Sequence, residues 1–126
     1  MTIRLLAAVG LAFFVPQTSG TIPPGGAPGG NCNDSWVINL PANGATIDRD
    51  DDVNCGGHSP DKNQTYSVKI VDSYDHSGSS SGTSDGVCNW DNVVSRSDGK
   101  RWSDGAATLT LYAGGVKKAT RSFSFD

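Results

Sequence analysis

The stretch Ala107-Thr-Leu-Thr-Leu-Tyr-Ala113, Gly114-Gly115, Val116-Lys-Lys-Ala-Thr-Arg-Ser-Phe-Ser-Phe125 decides the fold class. Leu109, Leu111 and Ala113 share one side of an extended chain, with Thr108, Thr110 and Tyr112 on the other. Phe123 and Phe125 alternate with Ser122 and Ser124 in the same way. A period of two with one apolar side is the pattern of a half-buried strand. The Gly-Gly pair between the runs supplies two residues free to take positive φ, as a two-residue hairpin of the primed type requires. Two strands of opposite direction with one oily face each need a second layer to cover them.

Upstream, the same alternation of short β-rich runs with turn clusters continues. The runs are Trp36–Leu40, Asp52–Cys55, Tyr66–Val71 and Val87–Val94, and the turns are Asn43-Gly44, Asp98-Gly99 and Asp104-Gly105. Helices are poorly supplied. All thirteen acidic residues are Asp, Glu is absent, and only three leucines lie beyond residue 20. Asp and Gly favour turns, whereas Glu, Leu and Met stabilise helices. The chain is therefore expected to be all-β. Ser73–Gly86, rich in Ser, Gly and Asp, is expected to be a long mobile connection between two sheets.

Residues 1–20 resemble an export signal. Arg4 precedes the apolar run Leu5–Val15, and small residues follow up to Gly20, where cleavage is expected. Eleven apolar residues are too few to span a bilayer, which takes roughly 20 in a helix, so no membrane insertion is expected. Thr21–Asn31, with sequence TIPPGGAPGGN, is expected to be a disordered Pro/Gly-rich linker, leaving residues 32–126 for one domain. Beyond residue 20 there are nine basic and thirteen acidic side chains, a net of −4. Without a clustered basic face, nucleic acid is excluded as the natural partner.

Three segments resemble the Ig-like domains of bacterial secreted and surface proteins. They are PANGAT at Pro41–Thr46, CNW ending at Trp90, and WSDGAATLTLYA at Trp102–Ala113. The resemblance spans residues 36–126. It departs from the family in having one copy, in its cysteines, and in lacking a D-x-x-G-N segment before the last strand. It implies an Ig-like β-sandwich of about seven antiparallel strands, and a non-catalytic, secreted module with an adhesive, structural or protein-binding role. The alternative is a carbohydrate-binding module using exposed aromatics, and a hydrolase ranks third. The expected partner is an extracellular protein or glycan.

An exported chain with Cys32, Cys55 and Cys88 is expected to form one disulfide and leave one odd thiol, able to link two copies into a dimer. In an Ig-like order the strands carrying Cys55 and Cys88 can be neighbours, which makes Cys55–Cys88 the expected pair, with Cys32–Cys55 as its rival. Among the aromatics, Trp90 and Trp102 are expected in the core. Trp36 and Tyr112 are expected to be exposed and to form the ligand-binding face.

No catalytic residue, cofactor or metal site is expected. Asp48–Asp52 begins like a calcium loop, but Val53 and Ser59 stand where its Gly and Glu belong. Cys55 and His58 lack the paired spacing of a zinc site. Gly78-Ser-Ser-Ser-Gly82 matches G-x-S-x-G, with Asp75-His76 just before it, but without the strand and helix of a nucleophile elbow.

Overall fold

The computed structural model describes Cys32 and residues 34–126. The expected signal at 1–20 and linker at 21–31 lie outside the described residues. The chain divides into two units, Met1–Cys32 and Asn33–Asp126, and the second is the β domain. It has eight strands and, among the described residues, no helix. The strands are β1 (Val37–Leu40), β2 (Thr46–Ile47), β3 (Val53–His58), β4 (Thr65–Val71), β5 (Ser77–Thr83), β6 (Asn89–Val94), β7 (Gly105–Ala113) and β8 (Val116–Phe125).

These strands form two sheets, one in the order β1-β3-β6 and the other in the order β2-β8-β7-β4-β5. All pairings are antiparallel except β2 with β8. The β7–β8 hairpin turns at Gly114 and Gly115, with φ of 61° and 76°, as a primed turn demands. Ala107, Leu109, Leu111, Phe123 and Phe125 are buried from this sheet, and Ile38, Val53, Cys55, Trp90 and Val94 are buried from the other. Trp102 enters the same core and stacks on Phe125, with centroids 5.0 Å apart. The two inner faces thus share one core, the layering of a β-sandwich.

Ser73–Gly86 is not one mobile connection. Its middle is β5, paired residue for residue with β4 from Thr65–Thr83 to Val71–Ser77. Ser and Gly have low β propensity, but here backbone pairing and close approach decide the outcome. Ser77 O accepts hydrogen bonds from the Ser97 N–H at 2.9 Å and from Ser97 Oγ. Asn92 on β6 joins the two sheets at this side. Its Oδ1 accepts from Ser80 Oγ at 2.7 Å, and its Nδ2 donates to Ser81 O at 3.1 Å.

The cysteine expectation is also corrected. Cys88 is disulfide-bonded, and so is Cys32, while Cys55 is a free thiol. Cys55 and Cys88 are therefore not a pair. Cys88 sits at φ 65°, in the turn before β6 rather than within a strand. Cys55 points into the core at 2% exposure and donates to Asn92 O, so an interchain bridge through this odd thiol would first require unfolding. Burial, assisted by the Asp91 charge, pushes its pKa from 9.0 up to about 12. We expect native protein to leave Cys55 unlabelled by iodoacetamide at pH 8, with one thiol modified in denaturant. Because the folded pKa is raised, this group's contribution to stability is complete below pH 9 and is lost as pH climbs from 9 towards 12. Rapid labelling without denaturant would contradict the burial.

Candidate functional site

All three tryptophans are buried. Trp90 and Trp102 occupy the core as the sequence suggests, but Trp36, at 8% exposure, does not present the flat exposed ring expected of it. It directly precedes β1, joins Ile38 in the core and packs 6.0 Å from Tyr66. Tyr112 is half-buried on the outer side of the five-stranded sheet, opposite Ser67 on β4 and Lys117 on β8. These two residues do not form a shared platform, because one faces inward and the other outward.

The exposed ring is Tyr74, at 74%, in the turn from β4 to β5. That turn is built on Asp72, whose side chain is wholly buried. Asp72 Oδ1 accepts from the Tyr74 and His76 backbone N–H groups, each at 2.9 Å. Its Oδ2 accepts from the Ser103 N–H at 2.9 Å and lies 3.1 Å from His76 Nδ1. Asp75, at φ 63°, closes the turn. From the same turn, Ser73 Oγ donates to Asp104 O on the facing segment at 2.7 Å. One carboxylate therefore fixes the turn and locks it to the segment leading into β7.

Burial raises the Asp72 pKa, but the N–H groups of Ser103, Tyr74 and His76, together with the His76 ring, outweigh it and hold the group below its usual 3.8. A depressed folded pKa means that the stabilisation is complete above pH 3.8 and is lost as pH falls through the folded value. Asp72→Asn would turn a donor toward the Ser103 N–H. We expect it to cost about 2–3 kcal/mol at pH 7 and to flatten the acid limb of a stability–pH profile below pH 4. An unchanged acid limb would show that Asp72 is not the anchor.

The His76 ring lies parallel to Tyr74, with centroids 6.4 Å apart. Its Nδ1 is also 2.9 Å from Ser103 Oγ, so the fold does bring a histidine, a buried aspartate and a serine together. Relay chemistry, however, needs Asp and Ser on opposite ring nitrogens, so that one N–H is held while the other lone pair takes the serine proton. Here both converge on Nδ1. An ionised carboxylate only accepts, so Nδ1 carries its hydrogen toward Asp72 and has no lone pair left for Ser103. Ser80, the serine of the G-x-S-x-G match, is spent on Asn92 within β5.

Beside Tyr74 a groove of about 310 Å³ is lined by Arg49, Ser103 and Asp104. The Arg49 backbone is held by Asp126 O and by the Trp102 N–H. Its Nε is buried, with no hydrogen-bond partner among the described residues. The sequence hid this site because Tyr74 falls in a polar stretch and Arg49 lies 25 positions away. The usable signal was Asp72 directly after a strand, with two residues spaced to receive it in an Asx-type turn. No group of three or more His, Cys or Asp side chains among the described residues is arranged to hold a metal. No protein-family model, curated protein or solved structure matches this chain.

Proposed function

We propose that the chain is an exported Ig-like module that acts by binding and not by catalysis. The observation that carries the fold assignment is the strand order. Naming the eight strands A, A′, B, C, C′, E, F and G in sequence gives sheets A-B-E and A′-G-F-C-C′, the pairing scheme of an Ig-like sandwich lacking strand D. The split first strand, with A′ parallel to G, fits the same scheme. Export is supported by the sequence of residues 1–20 and by disulfide-bonded cysteines, which persist in oxidising compartments. The convergence of Asp72 and Ser103 on one His76 nitrogen favours a structural role for this triplet over hydrolysis.

The reading is tested with purified protein on arrays of immobilised glycans and extracellular proteins, with parallel assays for ester, peptide and glycoside cleavage. Saturable binding without product release is the expected result. Product release that disappears in both His76→Ala and Ser103→Ala would replace it with an enzyme.

A further inference from the structure

We infer that the groove beside Tyr74 is a binding site for one uncharged sugar ring, and this rests on the binding-module reading above. Three features converge there. Tyr74 offers an exposed aromatic face, the turn that carries it is anchored by a buried carboxylate, and its ring lies parallel to His76. A tyrosine has few rotatable bonds and provides contact area at low entropic cost, and the apolar face of a pyranose is a natural partner for it. Arg49, half-buried, is the one cationic side chain among the described residues lining the groove. A guanidinium presents several N–H donors in a rigid fork and no acceptor, so an arriving oxygen is favoured beside it.

The third feature is the pairing of that donor with acceptors. Asp104 is exposed on the same groove, and Ser103 lines it as well. A cationic donor and an anionic acceptor on one small groove suit a ligand that both accepts and donates while carrying no net charge, as adjacent hydroxyls do. A carboxylated or sulfated sugar would meet the exposed Asp104 carboxylate in the same groove. A volume of about 310 Å³ lies at the small end of ligand clefts and suits one ring.

The rival surface is the outer side of the five-stranded sheet. Strands β2, β4, β5, β7 and β8 carry no acidic residue, and Lys69 and Lys117 stand among Ser and Thr. Acidic glycans would prefer that face on charge grounds.

The experiment titrates full-length protein with neutral gluco-, galacto-, manno- and N-acetylglucosamine oligosaccharides and with one uronate polymer, by calorimetry and amide NMR. Tyr74→Ala, Tyr74→Phe, Arg49→Gln and Lys69→Glu are run in parallel, and a melting curve confirms that each is folded. We expect at least one neutral series to bind and to shift the Ser103 and His76 amides. Tyr74→Ala and Arg49→Gln should each weaken it about tenfold or more, Tyr74→Phe should keep it within about twofold, and Lys69→Glu should leave it unchanged. Neutral-sugar binding that survives Tyr74→Ala overturns the groove assignment, as does binding of the uronate polymer alone with loss in Lys69→Glu. Binding of no sugar, with capture of a protein partner, also overturns it and leaves the binding-module reading standing. Product release would remove that reading instead.

Discussion

Gly57→Ala and Gly78→Ala are each expected to lose about 3 kcal/mol or more, at the upper end of overpacking costs because backbone must move, and to leave little folded protein. A Cβ on Gly57 would stand 1.8 Å from Val37 O, and one on Gly78 would stand 1.9 Å from Ser95 O. Neither obstacle is a side chain that can rotate away. Gly57 is where β1 closes on β3, opposite Ile38. Gly78 is where β5 meets the chain leaving β6, so its substitution would open the side of the sandwich that Asn92 and Ser97 hold shut. Urea unfolding of both variants is the measurement. Midpoints within 0.3 M of the parent would mean that the two approaches are looser than described. The same packing implies that deleting residues 77–84 removes an integral strand and unfolds the domain.

Trp90→Ala should cost about 3–5 kcal/mol, the usual range for truncating a buried aromatic and a large share of the roughly 5–15 kcal/mol available to a domain. The ring is 2% exposed and sits 5.1 Å from Tyr66 at 53°. Its Nε1–H donates to Val37 O at 3.1 Å. Trp90 pairs with Gly57 on β3, so the indole reaches past a residue with no side chain to bond β1. Truncation would therefore open a cavity and remove the bond to Val37 O together. Trp90→Phe refills most of the space but not the hydrogen bond, and should recover more than half of the loss. Thermal or urea unfolding distinguishes them. If Trp90→Ala melts like the parent, the ring is not a core element, and the burial of Trp36 and Tyr66 around it would also be in question.

The sequence alone determined the class of the fold. Alternation in Leu109–Leu111 and Phe123–Phe125, the Gly114-Gly115 turn and the scarcity of helix formers are local signals, because side-chain direction in a strand follows from chain position and positive φ follows from glycine. Trp90 was legible as core for the same reason, and Trp36 shares the parity of the buried Ile38, whereas Trp102 stands outside the strands and was legible as core only through the resemblance. Tertiary structure decided what local pattern cannot carry. β5 is a strand because β4 and the chain after β6 flank it, and no property of Ser-Gly-Ser-Ser-Ser predicts those neighbours. Cys55 stays a thiol because it lies inside the core while Cys88 stands in a turn. The groove of Arg49, Tyr74, Ser103 and Asp104 exists only once a buried carboxylate at Asp72 has drawn the β4–β5 turn onto the segment before β7. Those contacts join residues far apart in the chain, and their existence depends on which sheet each strand joins.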